Sequence, residues 1–207
     1  MASQLSLVLG GVRSGKSAFA EGLVREACGT ILYLATGVPT DPEMEERIRR
    51  HQMTRPTHWT TIEEPLDLAG RLNTATISTK PPAAVLLDSL DIWGANLLME
   101  EEANLSMEEE ANPSIQEDDS AVGSAEPAAL CAVDRLLQVI GQASGEFVLV
   151  SSEVGLSLVP PEPLGRRFQD LLGTVNQRVA AAAERVYLVV AGIPTEIKGP
   201  DRAWSRY

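Results

Sequence analysis

Gly10-Gly11-Val12-Arg13-Ser14-Gly15-Lys16-Ser17 decides how the rest of the chain is read. It satisfies G-x4-G-K-[ST] at every fixed position, the pattern of a loop that wraps backbone N–H groups around phosphates. Lys16 is expected to reach the β- and γ-phosphates, and the Ser17 hydroxyl to bind Mg²⁺. With glycine at about 7% of residues, a chance match in a chain this long arises on the order of once in a hundred. Context strengthens it. Leu5-Ser6-Leu7-Val8-Leu9 before it is a short apolar run suited to a buried strand. Lys16–Ala27 after it places Phe19, Ala20, Leu23 and Val24 on one side of a helix.

Outward from this motif, apolar strands alternate with helices. Strands are expected at Ile31–Ala35, Ala83–Asp88, Phe147–Ser151 and Val186–Val190. Helices are expected at Asp41–Gln52, Pro65–Leu72, Leu90–Leu98, Ala128–Ala143 and Pro163–Glu184. Asp41-Pro42 opens the first of these as N-cap and first helical residue. The long Pro163–Glu184 helix repeats Leu164, Phe168, Leu171, Leu172, Val175 and Val179 at helical spacing. The pattern predicts an α/β fold of the P-loop NTPase type, with a mainly parallel sheet flanked by helices on both faces.

Met99–Pro127 differs in kind. It holds a near-duplication, Met99-Glu100-Glu101-Glu102-Ala103-Asn104 against Met107-Glu108-Glu109-Glu110-Ala111-Asn112, followed by Ser, Asp, Gly and Pro. Glu100 to Glu126 has ten acidic and no basic residues, so most of the net charge of −12 lies there. Acidic, aromatic-free sequence buries too little surface to offset its ordering entropy. The expectation is one domain over residues 1–207 with a disordered acidic insertion at 99–127 that forms at most a transient helix.

Composition limits the function classes. Without a basic patch, no nucleic-acid surface is expected. The longest apolar stretches fall short of the ~18–20 residues that span a bilayer. Met1-Ala2-Ser3-Gln4-Leu5 lacks the basic region of a signal peptide. Cys28 and Cys131 have no metal-ligand spacing and suit reduced thiols. The expected location is cytoplasmic.

Two further residues bear on chemistry. Asp88 ends an apolar strand, as the Mg²⁺-directing acid of P-loop enzymes does; it is also placed to cap the next helix. His51 lies near the end of the Asp41–Gln52 helix, among Arg49, Arg50 and Arg55. A neutral imidazole is a competent nucleophile toward phosphorus, and neighbouring arginines favour the neutral form and bind phosphate. On spacing alone, a solvated helix-end histidine is the better reading, for His51 and His58 alike.

Beyond the P-loop, the chain resembles the bifunctional adenosylcobinamide kinase/adenosylcobinamide-phosphate guanylyltransferase family. The resemblance is carried by Tyr33-Leu34-Ala35-Thr36, Arg47-Ile48 with His51, Arg55-Pro56 with Trp59, Thr61 and Glu63, and Leu87-Asp88 with Trp93 and Asn96-Leu97-Leu98. It continues through Ser151 with Glu153-Val154-Gly155, Val159-Pro160, and Gly173 with Asn176-Gln177. The H-x3-R-P element, His51 to Arg55-Pro56, is its most specific part. Ser152, Ser89, Asp91 and Gln169 depart from the usual Asn, Cys, Thr and Arg.

The resemblance implies that His51 takes GMP from GTP as a covalent intermediate, and that Thr36, Arg55 and Glu63 line the nucleotide site. A carboxylate at Glu63 suits the N1–H and N2–H₂ donors of guanine. The implied sequence is that ATP or GTP first phosphorylates adenosylcobinamide, and the GMP taken up by His51 then passes to adenosylcobinamide phosphate. A homo-oligomer, a trimer, is implied as well. Two other readings remain at this stage: another P-loop small-molecule kinase with a structural His51, and a non-catalytic GTP switch. Covalent GMP labelling separates all three.

Overall fold

The computed structural model describes residues 3–39, 42–54, 56–111 and 125–200. The elements in chain order are β1 (Ser3–Gly10), α1 (Lys16–Arg25), β2 (Ile31–Ala35), α2 (Pro42–Thr54), β3 (Thr60–Glu63), α3 (Leu68–Thr76), β4 (Ala84–Asp88) and α4 (Leu90–Ala111). They continue with α5 (Ala125–Gln142), β5 (Gly145–Ser152), α6 (Pro163–Ala182), β6 (Arg185–Val190) and β7 (Ile193–Lys198). The strands form one seven-stranded sheet in the order β3-β2-β4-β5-β1-β6-β7. Every neighbouring pair is parallel except β6 and β7, which form an antiparallel hairpin. The α/β, mainly parallel architecture expected from the sequence is present.

The two faces follow from the period-2 alternation of strands. Leu5, Leu7 and Leu9 of β1, with Leu32 and Leu34 of β2, point into the larger core, where α3, α4, α5 and α6 contribute Leu72, Trp93, Leu136 and Val175. Val8, Ile31, Tyr33 and Val148 point the other way, onto Ala20 and Val24 of α1 and onto Trp59. The cover is therefore unequal: four helices lie on one face, and α1 is the main helix on the other.

Four elements depart most from the sequence reading: β3, β7, α3 and α4. Two strands are additional, β3 and β7. Each is an edge strand paired on one side only, and each is largely exposed, so neither carries the apolar run that marks a central strand. α3 begins three residues later than expected, where the Asp67 carboxylate accepts from the Gly70 N–H at 3.0 Å as an N-cap.

α4 continues past Leu98 to Ala111. The expected disordered insertion at 99–127 is thus partly helical: Met99–Ala111 belongs to α4 and Ala125–Pro127 opens α5, while residues 112–124 lie outside the described residues. Glu, Ala and Met are strong helix formers, so α4 propagates from an already anchored helix. Arg167 of α6 donates to Glu102, tying the extension to the fold. Loop-closure entropy changes slowly with length. Replacing residues 112–124 by a short Gly/Ser linker should therefore cost less than about 1 kcal/mol in denaturant unfolding. A larger loss would mean that this segment packs.

Candidate active site

The P-loop joins β1 to α1 and is built as a tight cradle. A Cβ on Gly10 would fall 2.4 Å from Ser14 Oγ and 2.7 Å from the Val189 carbonyl, so only glycine fits there. Gly15 sits at φ 93°, a left-handed conformation that glycine adopts without strain. As N-cap, Gly15 offers no side chain to the first turn of α1. The leading N–H groups of that helix are therefore left for an anion, on the favourable end of the helix dipole. Ser14 N–H donates to Gly11 O at 3.2 Å, and the tip of the β6–β7 hairpin braces the loop from outside, Gly192 N–H donating to Ser14 O at 2.8 Å.

Lys16 is buried, and its Nζ donates to Gly11 O at 3.4 Å, so the ammonium folds back over the cradle. Ser17 follows in the first turn of α1 and is partly exposed. Val12 and Arg13 form the exposed crest, Arg13 at φ 57°.

Asp88 ends β4, on the same edge of the sheet. Register fixes its place: Glu63 pairs with Ala35, Ala35 with Asp88, Asp88 with Val150, and Val150 with Val8. Asp88 therefore lies two strands from β1 and two from β3, about 10 Å from each at the usual interstrand spacing. The Tyr33 hydroxyl, itself buried, donates to Asp88 Oδ2 at 2.8 Å. Tyr33 stacks on Trp59 with ring centroids 6.4 Å apart.

Thr36 is fully buried. Its hydroxyl donates to Ser89 O and accepts from Ser89 N–H, each at 2.9 Å. The side chain expected to line the nucleotide site thus clamps the backbone just after Asp88 instead of facing open space.

At the β3 edge, a cavity of about 550 Å³ is lined by Gln52, Pro56, Thr57, Trp59, Thr61 and Glu63, a volume suited to a small ligand. Gln52 Nε2 donates to Glu63 Oε1 at 2.8 Å, holding the carboxylate at the cavity wall. His51 lies on α2 immediately before Gln52; its side chain and Arg55 are outside the described residues. Arg49 and Arg50, expected as phosphate ligands, are engaged by Glu46 at 2.7 and 3.0 Å. The hydrogen bond from Arg49, then that from Arg50, hold the Glu46 carboxyl below its usual range.

The structure thus links Asp88 to Tyr33 by a hydrogen bond and Tyr33 to Trp59 by stacking, with the P-loop strand two strands to one side of Asp88 and the cavity of Glu63 and Gln52 two strands to the other. β1 and β3 are four strand spacings apart, about 19 Å. Tyr33 and Gln52 were not among the residues assigned a role in the sequence. Gln52 lies within H-x3-R-P and Tyr33 opens Tyr33-Leu34-Ala35-Thr36, but neither has a residue type that announces a role.

No group of three or more His, Cys, Asp or Glu among the described residues could hold a metal ion. No described helix is long and apolar enough to cross a membrane.

The sequence model of the family described as cobinamide kinase / cobinamide phosphate guanyltransferase matches residues 6–197. The bifunctional adenosylcobalamin biosynthesis protein CobP of Pseudomonas aeruginosa is 38% identical over 193 residues, 93% of this chain and 96% of the relative. The CobU proteins of the same description from Salmonella typhimurium and Escherichia coli are 40% and 35% identical, covering 93% of this chain and 98% of each relative.

Proposed function

This chain belongs to the cobinamide kinase / cobinamide phosphate guanyltransferase family and catalyses both reactions in adenosylcobalamin biosynthesis, and we propose that it divides them along one sheet edge. The observation that carries the proposal is the row Glu63–Ala35–Asp88–Val150–Val8, which aligns the cavity, the acid and the P-loop strand.

In the kinase step, Gly10 to Ser17 hold the triphosphate of ATP or GTP. The hydroxyl on the aminopropanol arm of adenosylcobinamide attacks the γ-phosphorus, the nucleoside diphosphate leaves, and the hydroxyl proton is lost to solvent. Lys16 offsets charge that develops on the phosphate oxygens. In the second step His51 attacks the α-phosphorus of GTP and pyrophosphate leaves. The phosphate of adenosylcobinamide phosphate then takes the GMP, freeing His51 and giving adenosylcobinamide-GDP.

Glu63 accepts from guanine N1–H and N2–H₂, which adenine cannot offer in that arrangement. Arg55, four residues after His51 in the H-x3-R-P element, contributes positive charge for phosphate. With guanine at Glu63, the triphosphate extends past Asp88 toward the P-loop, so one nucleotide serves both ends of the row. Ser17 and Asp88 would hold Mg²⁺, which neutralises phosphate charge when bound. Thr36 acts through Asp88, whose following peptide it clamps. We further infer a cytoplasmic homotrimer, a state that the mass from light scattering would check.

The test is covalent labelling. Protein incubated with Mg²⁺ and GTP labelled at the α-phosphate should retain acid-labile, base-stable label, as a phosphoramidate does. Absence of such label removes the histidine route.

Tyr33 offers a second check. Its hydrogen bond fixes one oxygen of Asp88, and a hydrogen bond to a charged group is worth about 1.5–3 kcal/mol. Tyr33→Phe keeps the ring stacked on Trp59 and frees the carboxylate to turn. The Mg²⁺ concentration for half-maximal kinase activity should rise roughly ten-fold, and the melting temperature should fall by roughly 3–10 °C because the same hydrogen bond supports the fold. An unaltered Mg²⁺ dependence would separate Tyr33 from the metal.

A further inference from the structure

The loop joining β5 to α6 exposes three large aliphatic side chains within four residues: Leu156 at 86%, Leu158 at 93% and Val159 at 73% of full accessibility. The loop is firmly held. Ser157 N–H and its hydroxyl donate to Val154 O at 3.2 and 2.6 Å. Gln169 Nε2 of α6 donates to the same carbonyl at 2.6 Å, and Gly155 N–H donates to Glu153 Oε1 at 2.7 Å. At its far end Arg166 donates to the carbonyls of Pro160 and Pro161 at 3.0 and 2.5 Å. A loop bonded in this way presents its aliphatics as a fixed feature, and an ordered apolar patch on a surface marks a binding site.

Its position selects the ligand. Ser152 stands in register with Gly10, and Glu153 N–H donates to Gly10 O at 3.2 Å, so the loop springs from the first residue of the phosphate cradle. The nucleotide is charged and polar and is matched by the cradle and by the Glu63 cavity. The other substrate is a corrinoid, a broad macrocycle edged with methyl groups and carboxamide side chains, joined by a short arm to the hydroxyl that is phosphorylated. That arm limits how far the ring can lie from the phosphate being transferred. We propose that Leu156, Leu158 and Val159 form the seat of the corrinoid ring, beside the P-loop, in the kinase half-reaction. The assignment rests on the kinase reading of the P-loop. The aliphatics pack against the ring, and the hydroxyl arm turns inward over Gly10 toward the nucleotide.

The experiment measures cobinamide binding to the full-length protein by equilibrium dialysis, following corrinoid absorbance. Leu156→Ser/Leu158→Ser should raise the Kd about ten-fold or more, through loss of two buried aliphatic side chains. Its mass by light scattering, melting temperature and labelling by α-labelled GTP should equal those of the parent. Leu156→Met/Leu158→Met, which keeps apolar bulk, should bind as the parent does. An unaltered Kd in the serine variant overturns the seat. A changed mass overturns it as well, since the patch then packs against a second copy of the chain. If Lys16→Ala phosphorylated cobinamide at the parent rate, the P-loop reading would fail and the seat with it, which distinguishes the two failures.

Discussion

Lys16→Ala should reduce phosphorylation of cobinamide by a factor on the order of 10²–10³, the usual effect of removing one preorganised group that stabilises transition-state charge. The expectation follows from placement. Lys16 is buried, and with its Nζ on Gly11 O the ammonium is already stationed over the cradle before substrate arrives. Little reorganisation is then needed when charge moves onto the phosphate oxygens. Guanylylation should suffer too, because pyrophosphate is the leaving group of that step and the cradle holds it. Steady-state rates with ATP and GTP, and the yield of α-phosphate label, measure the two effects separately. Lys16→Arg retains charge, but its larger planar head does not fit the same point contact, so it should rescue poorly. Full activity in Lys16→Ala would show that phosphate charge is balanced elsewhere.

The P-loop was legible because its chemistry and its fold constrain the same residues. Gly10 must lack a Cβ on account of Ser14 and Val189, and Gly15 must turn left-handed. Asp88 was legible as the acid ending an apolar strand, and β4 does stop there. The edge strands were not. Thr60–Glu63 and Ile193–Lys198 bury little, and their strand character comes from pairing with β2 and β6. Ala191-Gly192 between two β-rich runs was the available hairpin signal.

Side-chain partners were harder still. Glu46 engages Arg49 and Arg50 across one helical turn, a pairing the i,i+3 and i,i+4 spacing allows but does not require. Thr36 was assigned to the nucleotide site by the family resemblance alone, and no sequence signal pointed to its hydrogen bonds with the Ser89 backbone. The α4 extension reads as disorder from composition, because composition omits what an anchored helix and Arg167 supply.

His51→Ala should abolish covalent GMP labelling outright, while phosphorylation of cobinamide by ATP persists within a few-fold of the parent. The first part follows from bond-making: the phosphoramidate needs a ring nitrogen, and alanine has none. The second follows from the layout. α2 and the Glu63 cavity sit at the β3 edge, four strand spacings from β1, so kinase chemistry at the cradle does not need the imidazole. His58→Ala is the control. His58 is exposed in the turn after α2, between Pro56 and Trp59, and its loss should leave the label intact.

Glu63→Gln adds a finer test. Neutralising the carboxylate exchanges one acceptor for a donor opposite guanine N1–H and N2–H₂. The GTP concentration for half-maximal labelling should rise by roughly ten-fold or more, the scale set by leaving a polar group wrongly paired. Kinase turnover with ATP should hardly change. Label that persists in His51→Ala would place the nucleophile elsewhere. Loss of kinase activity in folded His51→Ala, as complete as in Lys16→Ala, would mean that α2 reaches the cradle and that the two reactions share one set of groups.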